Sequence, residues 1–318
     1  MLQKFILLCL TLSLAMPALS VTAADSSDKR ASNAVKKKAA KPVAVRAHIR
    51  NADQSAILLD NEELGILKLA SSKALIVNQE TGETLYAKGT DVPTPVASVT
   101  KLMTAMVTLD ARLPMDEKIK ITTDDLDTLK GTGSRLRLGT ELTRSELLQL
   151  ALMASENRAA SALGRSYPGG AQAFVAAMNA KAIMIGMTRS HFVEPTGLNS
   201  GNISTAEDLA KMVDAAYQYP EIRELTTTAS HEVPVAGARR PLHFVNTNSL
   251  VRKSDWIIGL SKTGFINEAG RCLVMQAEIA GHPLIIILLD SLGKYSRIGD
   301  AQRIRKWIES SNFQNHMG

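Results

Sequence analysis

Hydrophobic and polar positions change texture three times along the chain. From Ser72 to Asn78 the residues are strand-like, Thr81-Gly82 supplies a turn, and Thr84 to Ala87 read as the returning arm of a hairpin. After the breakers Pro93 and Pro95, Leu102, Met103, Met106 and Leu109 recur at helical spacing, which predicts a buried helix beginning near Ser98. A second helix is expected from Thr143, where Thr143-x-x-Glu146 has the form of a capping box, through Leu152 to about Ser155. Further helical periods cover about 171–185 and 206–217, separated by the glycine-punctuated stretch Gly197 to Gly201. The texture then reverts to strand. Trp256 to Phe265, Cys272 to Ala280 and Leu284 to Leu289 are apolar runs divided by Asn267-Glu268-Ala269-Gly270 and Gly281-His282-Pro283, an antiparallel meander. A last helix, Asp300 to Ile308, places Ile304, Trp307 and Ile308 on one face, suited to covering that sheet. Strands from both chain ends around a helical middle predict an α+β fold.

The first residues modify this picture. Met-Leu-Gln-Lys, an apolar run from Phe5 to Leu14 and small residues at Val21, Thr22 and Ala23 form an export pattern, so residues 1–23 are expected to be a cleaved signal peptide. The run is short of the roughly 18 apolar residues of a membrane-spanning helix, and no transmembrane segment is expected in the mature chain. Residues 24–54, rich in Ala, Ser and Lys and without a period, read as a basic linker. Residues 55–312 are then the folded domain and 313–318 a tail. Cys9 leaves with the signal, so Cys272 stands alone and the fold rests on its core without an internal disulfide.

The chain carries 37 Lys and Arg against 31 Asp and Glu, but nine of the basic residues fall within residues 1–50 beside only Asp25 and Asp28. The remainder is nearly neutral, so the basic balance gives no support to a nucleic-acid groove. The histidines form no H-E-x-x-H pair or close ligand spacing, and no metal or cofactor is expected.

Candidate chemistry lies in Ser98-Val-Thr-Lys101, Ser155-Glu-Asn157 and Lys262-Thr-Gly264. Each pattern is weak alone: S-x-x-K recurs at Ser26 and Ser291, and S-x-N at Ser200 and Ser310. Context selects Ser98, which opens a buried helix, and Ser155, which ends one apolar helix and begins another. Lys262-Thr-Gly264 occurs once, on a strand whose edge can pair with an extended peptide. A serine hydroxyl becomes a good nucleophile when a neutral base takes its proton. Lys101 is the expected base, kept deprotonated by burial and by Lys262 as a second cation. Ser155 is expected to relay a proton to the leaving amine, with Asn157 orienting Lys101 and the substrate amide. Lys262 and Thr263 would bind a substrate carboxylate, and the backbone N–H groups of Ser98 and Phe265, just beyond Gly264, would hold an oxyanion.

These motifs, with Pro95-Val-Ala-Ser-Val-Thr-Lys101-Leu-Met-Thr-Ala, Glu194-Pro-Thr-Gly-Leu198 and Asn246-Thr-Asn-Ser-Leu250, resemble the D-Ala-D-Ala carboxypeptidase and endopeptidase family of low-molecular-weight penicillin-binding proteins over about 55–310. Leu109-Asp-Ala-Arg-Leu-Pro, Ser155-Glu-Asn-Arg-Ala-Ala and Tyr167-Pro-Gly-Gly are similar to its endopeptidase branch. The resemblance implies a periplasmic serine enzyme cutting D-Ala-meso-diaminopimelate crosslinks of peptidoglycan through an acyl-enzyme on Ser98, with β-lactams as covalent inhibitors. It implies the penicillin-binding, β-lactamase-like fold, and the site roles given above for Ser98, Lys101, Ser155, Asn157, Lys262 and Thr263. A D-Ala-D-Ala carboxypeptidase of the same family is the nearest alternative. A class A β-lactamase has the same three motif types, and Glu194-Pro-Thr-Gly-Leu198-Asn199 approaches its E-x-x-L-N loop with one residue too many. A muropeptide-binding protein without turnover is the alternative of another class.

Overall fold

The computed structural model describes residues 67–234 and 240–310. The expected signal peptide, the linker and the tail lie outside the described residues.

Five antiparallel strands form the main sheet: β1 Ser71–Asn78, β2 Thr84–Lys88, β3 Ile257–Ile266, β4 Gly270–Ile279 and β5 His282–Ser291, in the order β2-β1-β5-β4-β3. The first and last of the described strands therefore meet within the sheet, where Ile76 faces Ile286 and Leu75 faces Ile287. This pairing explains the nearly unbroken apolar runs. On β5, Ile285, Ile287 and Leu289 point into one core cluster, whereas Leu284, Ile286 and Leu288 point into another on the opposite face. A strand covered on both faces has no solvent side to alternate with.

One face is covered by the C-terminal helix Ser296–Glu309, through Ala301, Ile304 and Ile308. This helix starts four residues earlier than the sequence pattern predicts. The opposite face carries the helical middle: α1 Lys101–Asp110, α2 Arg144–Met153, α3 Asn157–Arg165, α4 Gly170–Met184, α5 Ala206–Tyr217 and α6 Pro220–Thr227, with the C-terminal helix as α7. Helix α1 is buried along Lys101–Thr108 and forms the axis of this layer. Helix α2 begins with the expected capping box, in which Glu146 N donates to Thr143 Oγ1 at 3.1 Å and Thr143 N donates to Glu146 Oε2 at 2.7 Å. Helix α6 and the paired strands Ser230–Val233 and Leu242–Val245 were not anticipated. They are short, so neither supplies enough periods to stand out in sequence. The result is α+β, with the helical layer and the β3 edge meeting around Ser98. None of the described helices is long and apolar enough to cross a membrane.

Candidate active site

Ser98 lies in a 3₁₀ turn, Ala97–Thr100, that leads into α1, rather than in the α-helix itself. In a 3₁₀ turn residues three apart eclipse one another, which sets Ser98 and Lys101 on one side. Lys101 Nζ is 2.8 Å from Ser98 Oγ. Two features fix the turn. Ala97 sits at φ +49°, a strained conformation for an alanine, and Thr100 Oγ1 donates to its carbonyl at 2.8 Å. Upstream, Val96 N donates to the Asn202 carbonyl at 3.1 Å. Ser98 remains half-buried beside a fully buried Lys101.

The second motif is positioned by the break between α2 and α3. Ser155 occupies this break at φ +60°, and Asn157 is the first residue of α3. Asn157 Oδ1 accepts from Lys101 Nζ at 2.7 Å, while its Nδ2 donates to Thr132 Oγ1 at 3.0 Å. Glu156 points away from Lys101's hydrogen bonds and accepts from Ser134.

Lys101 Nζ has a third acceptor, the Thr196 carbonyl at 2.6 Å. Thr196 belongs to the Glu194-Pro-Thr-Gly-Leu198 loop, whose organiser is Glu194. Its carboxylate accepts from Thr196 N at 2.6 Å, Gly197 N at 2.6 Å, Thr196 Oγ1 at 2.5 Å and Asn202 Nδ2 at 3.0 Å. The loop lies so close to the Ala97–Thr100 turn that a Cβ on Gly197, itself at φ +83°, would fall 1.9 Å from the Ala97 carbonyl oxygen. A carboxylate so fully engaged has no free lone pair to activate a deacylating water, which weighs against the β-lactamase alternative.

The third motif approaches from strand β3. Lys262 Nζ donates to Ser155 Oγ at 2.9 Å and to the Thr263 carbonyl at 2.9 Å. Thr263 Oγ1 donates to Thr247 Oγ1 at 2.7 Å, and Thr247 N donates to the Met153 carbonyl at 3.1 Å, tying β3 to the end of α2. A Cβ on Gly264 would crowd Ser98 N, Ala97 Cβ and the Val96 carbonyl oxygen, each at 3.0 Å, so the glycine lets β3 lie against the Ser98 turn without displacing it. Phe265 follows with its ring half-exposed. The structure thus brings Ser98, Lys101, Ser155, Asn157, Lys262, Thr263 and Gly264 to one centre, with Phe265 at its edge.

Burial lowers the Lys101 pKa to about 8, against an upward pull from the Glu194 and Glu156 carboxylates. Lys262 is held well below the ordinary lysine range, first by burial and then by repulsion from Lys101 and Arg297. The two-lysine effect anticipated for Lys101 is therefore felt at Lys262. The hydrogen-bond geometry gives the Lys101 pKa a direction of action. Asn157 Oδ1 and the Thr196 carbonyl can only accept, so a neutral Lys101 amine donates its two N–H bonds to them and turns its lone pair to the Ser98 hydroxyl.

The sequence model of peptidase family S11, D-alanyl-D-alanine carboxypeptidase, matches residues 60–293. The chain belongs to this family. Among relatives within it, the D-alanyl-D-alanine endopeptidase of Escherichia coli K12 is 49% identical over 76% of this chain and 78% of its own length. That of Pseudomonas aeruginosa is 47% identical with the same coverage. Of solved structures, the Streptomyces K15 DD-transpeptidase superposes with TM-score 0.70 at 29% identity, over 76% of this chain and 97% of that one. Penicillin-binding protein D2 of Listeria monocytogenes, in an ampicillin-bound form, gives 0.66 at 29% identity over 76% and 98%. This chain is an S11 serine hydrolase with the penicillin-binding fold.

Several contributors to the S11 site were missed in the sequence. Thr132, the Thr196 carbonyl and Thr247 act across 25, 95 and 16 residues of chain, and no local pattern marks them. Arg297 repels Lys262, and its Nε and Nη1 are buried without a hydrogen-bond partner among the described residues. The signal that could have found it is an arginine at the start of a helix otherwise built to cover an apolar sheet.

Proposed function

We propose that this protein is a periplasmic D-alanyl-D-alanine endopeptidase that hydrolyses D-Ala-meso-diaminopimelate crosslinks of peptidoglycan. The observation that carries the reading is Lys101, a buried amine with pKa near 8 whose lone pair has only Ser98 to face.

Ser98 Oγ attacks the D-Ala carbonyl carbon as its proton passes to Lys101 Nζ. Backbone N–H groups of Ser98 and Phe265 stabilise the oxyanion. The carbon–nitrogen bond then breaks as the proton held by Lys101 passes by way of Ser155 Oγ to the leaving amine, which leaves Lys101 neutral and D-alanyl as an ester on Ser98. Water attacks that ester as one of its protons passes to Lys101; the ester carbon–oxygen bond breaks, Lys101 returns the proton to Ser98 Oγ, and the D-Ala carboxylate is freed. On the leaving side, the diaminopimelate D-centre keeps a free α-carboxylate. Lys262 and Thr263 bind it, and the buried Arg297, close enough to Lys262 to lower its pKa, adds a second positive charge to the field at that carboxylate. An anionic substrate stabilises protonated Lys262, so the cost of that buried charge is offset on binding. The 47–49% identity to proteins named endopeptidases favours this reading over a carboxypeptidase, whose terminal D-Ala would offer the same carboxylate.

Intact-mass spectrometry of the mature protein with benzylpenicillin, in parallel with a purified D-Ala-meso-diaminopimelate crosslinked dimer, tests the proposal. The expected result is a slowly lost adduct on Ser98 together with dimer cleavage, both abolished in a folded Ser98→Ala protein. Rapid drug turnover with intact dimer would reassign the site to a β-lactamase. Neither adduct nor cleavage would leave a binding role.

A further inference from the structure

An ion pair joins two segments that reach the Ser98 centre from different sides. Lys130 lies two residues before Thr132, the partner of Asn157, and Glu268 lies three residues after Phe265 in the turn between β3 and β4. Lys130 Nζ contacts Glu268 Oε1 between these two segments, with 28% and 43% of the two side chains exposed. The Lys130 segment is stiffened from within. Asp127 accepts from Leu129 N at 2.8 Å, Lys130 N at 2.9 Å and Thr132 N at 2.7 Å, so the loop presents Lys130 on a fixed backbone. The other segment is a tight β-turn on the strand whose Gly264 nearly touches Ser98. Neither charge takes part in the acylation chemistry.

We propose that Lys130 and Glu268 are a clamp for a zwitterionic amino-acid terminus, the free D-centre of the diaminopimelate in the acyl-donor stem. The proposal rests on the endopeptidase reading and gives that site its donor-side specificity. In the donor stem, D-Ala is attached to the L-centre of diaminopimelate. A three-methylene stem then carries the D-centre to about 10 Å from the acyl carbon, by bond lengths. Glu268 is four residues beyond Gly264, whose Cβ position lies 3.0 Å from Ser98 N, so chain length holds its backbone within about 14 Å of Gly264, a range that stem can span. A carboxylate and an ammonium on one carbon match a facing lysine and glutamate. In the free protein the two side chains pair with each other, which keeps both charges compensated until the ligand exchanges with each. The Phe265 ring beside Gly264 is half-exposed and carries the Arg271 guanidinium 4.4 Å from its centroid, so the apolar surface it offers is bounded by a further cation.

The test compares two crosslinked dimers, one with meso-diaminopimelate in the donor stem and one with L-lysine there, which keeps the amine and lacks the carboxylate. Lys130→Ala should lower kcat/KM for the diaminopimelate donor about fivefold, the scale of a partly exposed charge pair, and leave the lysine donor unchanged. Lys130→Arg should restore cleavage, and Glu268→Gln should weaken both donors. Benzylpenicillin acylation of every variant should stay at the wild-type rate, which reports a folded and competent centre. Equal loss on both donors with Lys130→Ala, or no loss on the diaminopimelate donor, overturns the clamp. Faster cleavage of both dimers marks a mere strap and overturns it too. Wild-type protein that is acylated by benzylpenicillin yet cleaves neither dimer overturns the endopeptidase reading itself, and the clamp with it.

Discussion

Lys101 and Ser98 stand 2.8 Å apart in a turn whose geometry, rather than a long-range contact, brings them together. What the rest of the fold adds is the orientation of the amine. Asn157 arrives from one helix and Thr196 from a distant loop, and each takes one donor direction at 2.7 and 2.6 Å. A protonated Lys101 has all three directions occupied by donated bonds and has no lone pair for the Ser98 proton.

This makes acylation pH-dependent with a definite sign. Only the neutral amine accepts a proton, and burial places its pKa at about 8. The second-order rate of benzylpenicillin acylation should therefore rise about tenfold per pH unit below 8 and level off above it. Stopped-flow acylation from pH 5.5 to 9.5 checks this. A flat profile across that range would remove Lys101 as the base.

Asn157→Asp places a carboxylate where an amide oxygen now accepts from Lys101 Nζ at 2.7 Å. A negative charge at that distance favours the ammonium, so the Lys101 pKa should move up. The rising limb of the acylation profile should shift above pH 8 by a unit or more, and the rate at pH 7 should fall at least tenfold. A loss of rate with the limb still at 8 would mean that Asn157 acts on the substrate amide instead.

The fold was legible wherever a residue's role is local or periodic. Thr143 and Glu146 declared the start of α2 because a capping box is closed within one turn. The runs through β4 and β5 were legible as buried strands because Val274 and Met275, or Ile286 and Ile287, serve two cores on opposite faces. The motif residues were legible by type and order. Their supports were not. The Thr196 carbonyl is a backbone atom that any residue would supply, and its placement depends on Glu194, which in the sequence suggested only the deacylating glutamate of the β-lactamase alternative. Ser98 was expected at a helix start; the 3₁₀ turn that aligns it with Lys101 depends on Ala97 at positive φ, which a residue's identity does not reveal.

Gly197 carries a demand that the motif reading overlooked. A side chain there would sit at φ +83° with its Cβ 1.9 Å from the Ala97 carbonyl oxygen, against backbone that cannot rotate away. Gly197→Ala should therefore push the loop from the nucleophile turn, cost about 2–3 kcal/mol of stability and lower acylation more than a hundredfold. Thermal unfolding with the acylation rate measured on the same sample checks both. Wild-type acylation in a destabilised protein would mean that the loop gives way without moving Ser98.

Glu194→Gln separates a loop organiser from a hydrolytic base. The carboxylate accepts from Thr196 N and Gly197 N, and an amide nitrogen in place of either oxygen would face a donor with another donor. The loop should lose about 1–3 kcal/mol and acylation should slow as the Thr196 carbonyl loses its fixed place. Removing this negative charge also removes an upward pull on Lys101, so the rising limb of the pH profile should move below 8, opposite to Asn157→Asp. The lifetime of the benzylpenicillin adduct on Ser98, followed by intact mass, should stay as in wild type. A greatly prolonged adduct would mean that Glu194 does activate the deacylating water, and the hydrogen bonds that now consume its carboxylate would have to open during turnover.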